Sequence, residues 1–431
     1  MGLGRRSEGI RLTRRQACGL GMGALLLLAH RAEAAPWRQR EFVISFWSPP
    51  PPTETTDARY AEIAEAGFNV VMGGNGVANK QASLAMLDRA KAHGLKAIVL
   101  DDRVYGGKPD GVSPVLADYG KHPALYGFLI QDEPGKAAFP ALASTVAEFG
   151  KRAPQLLPYI NLFPNYATPA QTGFASYDEY VSTFADQVRP PLLSFDHYAF
   201  LRSGERPDLF ANMETIRREA ARIRVPFWAI LQAEGIEGAY RSPSDVELEW
   251  QVWLALAHGA SGILYFTYWT PPPSGGENHF DGIVSPDGKL RAHYQWVKRV
   301  NAELGAVGRK LFGLPQRGVY YSEPVPTGCS PVVKNTVIQS LQGDSVVVGL
   351  FELASNRTYI VLVNRSLKSS VEVKLNLHDD FTSLIDATTD DEKPQNLLRR
   401  DLNFPARITT ALPAGGGKLF LAERPRYKFR G

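Results

Sequence analysis

Asp132 and Glu133 stand side by side at the end of the apolar run Tyr126-Gly127-Phe128-Leu129-Ile130-Gln131, and Pro134 follows at once. Such a pair can protonate a leaving oxygen if one carboxyl keeps its proton near neutral pH, and burial or a neighbouring like charge has that effect. Glycosidic cleavage also needs a second carboxyl on the far side of the bond. The longer arm makes Glu133 the candidate proton donor, with Asp132 as a substrate ligand or as the tuner of its neighbour's pKa. Adjacent strand residues point to opposite faces, so both acids reach one point only where the strand has ended, and Pro134 marks that stop. Acids at other strand ends could supply it, among them Glu234 in Leu231-Gln232-Ala233-Glu234-Gly235 and Asp196 in Asp196-His197-Tyr198. Asn161 and Gln232 are amides suited to sugar hydroxyls, Tyr198 suits substrate contact or orientation of the nucleophile, and Trp47 and Trp269 are flat faces suited to the C–H face of a pyranose.

These residues sit at the ends of short apolar runs. The runs are Phe42–Phe46, Asn69–Met72, Lys96–Leu100, Tyr126–Ile130, Tyr159–Leu162, Leu192–Phe195, Phe227–Leu231 and Gly262–Thr267. Amphipathic stretches between them read as helices over Asp57–Ala66, Gln81–His93, Ala138–Arg152, Asp178–Gln187, Asp208–Ile223 and Asp245–His258, several of them stopped by glycine. Alternating strands and helices predict a parallel sheet, and about eight units in roughly 250 residues predict a (β/α)8 barrel over residues 40–312. A dinucleotide-binding sheet fits less well, because Gly73-Gly74-Asn75-Gly76 lacks the phosphate-loop spacing. In a barrel every strand C-terminus opens on one mouth, so residues far apart in sequence converge there. After a closing helix over Leu290–Leu304 the texture changes to strands and turns, which predicts a small antiparallel β-sandwich over residues 313–431, read as a packing or positioning module with direct glycan binding as the alternative.

Gln131-Asp132-Glu133-Pro134 resembles the Asn-Glu-Pro signature of the retaining glycoside hydrolases built on (β/α)8 barrels, the β-galactosidase and cellulase-like superfamily. The resemblance implies that Glu133 is the acid/base and Glu234 the nucleophile. It also implies that Trp269, in Tyr265-Phe266-Thr267-Tyr268-Trp269, is a sugar platform. Two departures stand out: Asp132 replaces the family's asparagine, and Glu234 falls two residues beyond the apparent end of its strand. Asp196 therefore stays open as the second carboxyl, with an inverting outcome if it activates water. Carboxyls about 5 Å apart would mean retention, and roughly 6.5–9.5 Å inversion. The resemblance implies no cofactor and no metal.

The net charge of +4 is small for 431 residues, so it does not point to nucleic acid. Arg5, Arg6, Arg11, Arg14 and Arg15, an apolar run from Leu20 to Ala29, and Ala32-Glu33-Ala34 read as an export signal over residues 1–34. Thr13-Arg14-Arg15 resembles a twin-arginine signal, so a periplasmic or extracellular location is expected. Of the 2 cysteines, Cys18 lies in that leader and Cys329 is left alone, so the core must hold the mature chain without a disulfide. The reading is an exported glycoside hydrolase with a carbohydrate substrate. Two alternatives stand beside it: a barrel that binds a glycan without cleaving it, and a metal-dependent hydrolase using Asp196 and His197. The sequence leaves the sugar, the linkage and the oligomeric state open.

Overall fold

The computed structural model describes residues 37–273, 276–389, 395–401 and 404–425. The expected export signal lies outside the described residues. Eight parallel strands come first: β1 (Val43–Phe46), β2 (Val70–Met72), β3 (Lys96–Leu100), β4 (Leu125–Asp132), β5 (Leu157–Asn161), β6 (Leu193–His197), β7 (Phe227–Gln232) and β8 (Gly262–Phe266). Their hydrogen-bonded ladders run β2-β3-β4-β5 and β1-β8-β7-β6. Two seams close them into a barrel. Asn69 N donates to Ile44 O at 3.0 Å between β1 and β2, and Leu162 N donates to Ser194 O at 2.8 Å between β5 and β6.

The helices are α1 (Asp57–Glu65), α2 (Lys80–Ala92), α3 (Val112–Tyr119), α4 (Phe139–Arg152), α5 (Tyr177–Val188), α6 (Leu209–Ile223), α7 (Asp245–His258) and α8 (Ala292–Leu311). Four begin at a side-chain cap: Thr56, Asn79, Ser176 and Ser244 each accept from a backbone N–H of the first turn. The apolar pattern does not mark α3, because it is short, follows the turn Pro109-Asp110-Gly111 directly and carries Pro114 in its first turn.

The barrel interior is one apolar cluster. Val43, Val70, Met72, Ile98, Leu129, Leu157, Tyr159, Trp228, Ile230 and Leu264 fill it, and Trp47, Leu100, Tyr105 and Phe266 pack against it. A second cluster lies between strands and helices and runs on into the face of the C-terminal sheets. Those sheets are β9 (Gln316–Tyr321), β10 (Ile338–Gln342), β11 (Val346–Ala354), β12 (Arg357–Asn364), β13 (Val371–Leu377), β14 (Ser383–Asp386), β15 (Arg399–Asp401), β16 (Phe404–Leu412) and β17 (Gly417–Glu423). Their antiparallel order is β9-β11-β12-β17-β14 in one sheet and β10-β13-β16-β15 in the other.

The sandwich docks on α7. Eleven of the fourteen residues of α7 are buried, so this helix has sheet on one side and barrel on the other. The approach is tight: a Cβ on Gly349 of β11 would lie 2.3 Å from the Ala257 carbonyl. Gln316 Nε2 donates to that same carbonyl at 2.8 Å. The sandwich thereby fixes the helix that braces the end of β7.

Candidate active site

At the end of β4 the pairing with β5 slips between Leu129 and Gln131. Plain alternation from the inward Leu129 would turn Asp132 outward; the bulge returns it to the inner side, opposite Asn161. Glu133 then adopts a left-handed φ of 46° while its N–H donates to Asn161 O at 2.9 Å. A positive φ at a non-glycine residue is uncommon and gathers at functional sites. Together the bulge and the turn let two adjacent acids face one mouth.

Asn161, at the end of β5, holds this side together. Its Nδ2 donates to Asp132 Oδ1 at 3.1 Å and to Asp196 Oδ1 at 2.9 Å. Its Oδ1 accepts from Ser194 Oγ at 3.1 Å, and the Tyr159 hydroxyl lies 2.8 Å from that Oγ. Two carboxyls thus share one amide, and Glu133 is close enough to feel the charge of both. Burial raises the pKa of Asp132 to about 6, against the pull of the Asn161 bond. Burial and the charge of Asp132 raise Asp196 as well. Glu133 rises furthest, to about 9, through burial and then the charges of Asp196, Asp132 and Glu277. Glu133 therefore carries a proton at neutral pH, as a proton donor must.

Glu234 lies across the barrel, just past β7, and is 1% exposed. Thr267 Oγ1 donates to its Oε2, and His279 Nδ1 lies 2.6 Å from its Oε1. Burial lifts this carboxyl, while the imidazole and hydroxyl pull it back. The pKa of His279 is raised by the bond to Glu234. The strand end is braced from behind: Gln251 of α7 accepts from Gln232 N at 2.9 Å and donates to Gln232 O at 3.0 Å.

Other expected residues fall as follows. Trp47 packs on the inner cluster at the mouth. Tyr198 lies beside Asp196, and its ring centroid is 4.9 Å from that of Phe266. Gln232 is corrected from substrate ligand to framework: its Oε1 accepts from Phe200 N at 2.8 Å, and its Nε2 donates to Arg241 O at 2.7 Å, with Phe200 O and Glu234 O at 3.3 and 3.2 Å. Such a side chain has its hydrogen-bonding capacity filled. Trp269 is corrected from sugar platform to packing. It is 3% exposed, it hydrogen-bonds Ser48 through its backbone, and the Arg59 guanidinium lies 5.4 Å from its ring centroid. Alternation along β8 sends Leu264 and Phe266 inward, so Phe266 is the aromatic face that the last strand offers the mouth. Tyr105 was also missed; its hydroxyl bonds the Asp132 backbone. His197 turns to the helix side, with Nδ1 3.0 Å from Asn212 Oδ1, so it does not converge with Asp196 on one ion.

Residues 156–307 match the family model of glycoside hydrolase family 42, described as Beta-galactosidase. That stretch includes Asn161, Asp196, Glu234, Phe266 and His279 and stops short of Glu133. The β-galactosidase of Thermus thermophilus is 32% identical over 145 residues, which is 33% of this chain and 22% of that protein. The chain thus spans about a fifth of the length of this relative. Among solved structures, the E323A catalytic mutant of a family 42 β-galactosidase from G. stearothermophilus superposes with a TM-score of 0.62 at 10% identity, covering 90% of this chain and 99% of that one. The β-galactosidase from Bacillus circulans sp. alkalophilus gives 0.63 at 8% identity, covering 89% and 99%. The chain has the barrel-plus-sandwich fold of these β-galactosidase structures.

Proposed function

We propose that this chain is a glycosidase that cleaves terminal β-galactosides, with Glu133 as acid/base and Glu234 as nucleophile. The observation that carries the reading is the contrast in surroundings at one mouth: Glu133 beside Asp132 and Asp196, Glu234 with the imidazole of His279 at 2.6 Å. Asp196 is the weaker choice for nucleophile, because it stands on the Glu133 side and shares an amide with Asp132. Galactose comes from the name of the matched family and relatives.

In the first step Glu133 protonates the leaving oxygen while Glu234 attacks the anomeric carbon. In the second, Glu133 takes a proton from water, which displaces Glu234 and releases a sugar of unchanged anomeric configuration. The test is a panel of aryl and natural glycosides with the wild type and Glu133→Gln, and proton NMR of the first product. Retained configuration and a large loss in the variant are expected. Binding without turnover would favour the non-catalytic barrel, and inverted product would move the second carboxyl to Asp196.

We propose too that the chain is exported. The basic leader, the apolar run and Ala32-Glu33-Ala34 support it. No helix of the described residues is long and apolar enough to cross a membrane. A periplasmic or secreted product that begins at Ala35, retained in the cytoplasm by Arg14→Lys with Arg15→Lys, is the expected result.

A further inference from the structure

His279 lies in the long connection between β8 and α8, on a two-residue strand that pairs with the segment just after Glu234. Gly235 pairs with Phe280 and Ile236 with His279, and Glu237 N donates to Asn278 O at 2.9 Å. The contact is close enough to exclude a side chain at Gly235, where a Cβ would fall 2.2 Å from the Phe280 ring. The imidazole and Glu234 are therefore held in register by backbone on both sides. Nδ1 is 2.6 Å from Glu234 Oε1, and Nε2 is 3.6 Å from Glu277 Oε2. The Phe266 ring lies alongside, with centroids 6.2 Å apart. The charged groups that face the imidazole are Glu234 from the end of β7 and Glu277 from its own loop. Those that face Glu234 are His279 and Glu277. Among the described residues, His279 is the one basic side chain within ion-pair distance of Glu234.

We infer that His279 is a positioning residue that keeps Glu234 ionised and aimed, with Glu277 on its far nitrogen helping to keep the imidazole charged. This rests on the reading of Glu234 as nucleophile. A carboxylate buried this deeply is costly unless paired and hydrogen-bonded. His279 and Thr267 supply one partner to each oxygen. The imidazole does not touch the substrate's reacting atoms in this role; it sets the charge of the group that does. Loss of the ring should raise the proton affinity of Glu234, so that the acidic limb of the rate profile moves to higher pH.

Two measurements test it. The first needs no turnover. In the full chain labelled with ¹³C-histidine, the His279 signal is identified by its loss in His279→Gln. Its midpoint should lie above the ordinary histidine range and fall by at least one pH unit in Glu234→Gln, and by less in Glu277→Gln. A midpoint that does not respond to Glu234→Gln overturns the pairing, whatever the enzyme's substrate. The second is the pH dependence of kcat/KM in His279→Gln and His279→Asn. An acidic limb displaced upward by about one pH unit or more supports the inference. Equal loss at every pH overturns it, because the residue would then only support its loop. A wild type that cleaves no glycoside, with the first measurement positive, would count against the glycosidase reading alone.

Discussion

The two sides of the mouth handle carboxyl groups in opposite ways. On the β4–β6 side, Asp132 and Asp196 share one neutral amide with Glu133 near them, burial raises all three carboxyls, and like charge adds to it for Glu133 and Asp196. On the β7–β8 side, Glu234 has a donor on each oxygen, Thr267 and His279, with Glu277 beyond the imidazole. Burial raises both carboxyls, but the acids around Glu133 add to the rise, whereas the bonds from His279 and Thr267 to Glu234 oppose it. The sides also differ in construction. The acid side is made by the backbone, through a bulge and a left-handed residue; the anion side is made by packing, from the sandwich through α7 and Gln251 to the end of β7.

The harshest way to break the contrast is to delete the anion. Glu234→Ala should lower kcat by about 10⁵-fold on every glycoside, because removal of a nucleophile from a concerted unit abolishes the path it serves. Glu133→Gln should cost on the order of 10²–10⁴-fold with an alkyl leaving group. It should cost far less in the first step with an acidic phenol, which leaves without a proton. A loss in Glu133→Gln independent of leaving group, measured over a series of aryl galactosides, would remove Glu133 from the donor role.

The charge of Asp196 is part of what lifts Glu133, so Asp196→Asn probes the crowding itself. Glu133 must be protonated to act, so activity falls as pH rises through its pKa. Removal of a neighbouring anion lowers that pKa, and the alkaline limb of kcat/KM should move down by roughly one pH unit. The acidic limb, set by Glu234 across the mouth, should stay where it is. Movement of both limbs would mean that the sides are one coupled system.

How much of this the sequence carried depends on what each residue rests on. Glu133 was legible because an apolar run, two acids and a proline are local signals, and so was the barrel, whose strands and helices declare themselves by period. Asp132 reached the mouth only through a bulge, which leaves no mark in the composition of β4. Trp269 misled because it is the large aromatic near the end of a strand, whereas alternation along β8 presents Phe266. Gln232 misled because an amide at a strand end reads the same whether it serves substrate or backbone, and the partners of this one come from Phe200 and Arg241. His279 shows in the sequence only as one of several polar residues, with Glu277, Asn278 and Asp281, in the connection after β8, and nothing local matches it to Glu234, forty-five residues away.

The two aromatics give a direct separation of roles. Phe266→Ala should raise KM by up to about tenfold, the size of one aromatic contact, with little change in melting temperature. Trp269→Ala should do the reverse. Its ring is buried, and large-to-small changes of a buried aromatic cost about 3–5 kcal/mol, which lowers Tm by many degrees while the folded fraction keeps its KM. Paired kinetics and calorimetry on both variants would expose an error in either placement.

The smallest expected effect tests whether the crowded side is held at a cost to the fold. A carboxyl whose folded pKa lies above its unfolded value contributes full stability below the unfolded pKa and loses it as pH rises through the folded one. Glu133 has that sign, from near 4.5 upward to about 9. At pH 4 the Glu133→Gln variant should melt with the wild type, since both then carry a neutral group. At pH 8 the wild type is in the window where the unfolded chain gains by ionising and the folded one does not, so the variant should melt higher by a few degrees, each kcal/mol corresponding to roughly 1–2 °C in a chain of this size. Glu234→Gln should gain less, because the bonds from His279 and Thr267 offset part of the burial that raises Glu234. Equal responses of the two variants to pH would mean that the crowding and the pairing do not divide the mouth as described.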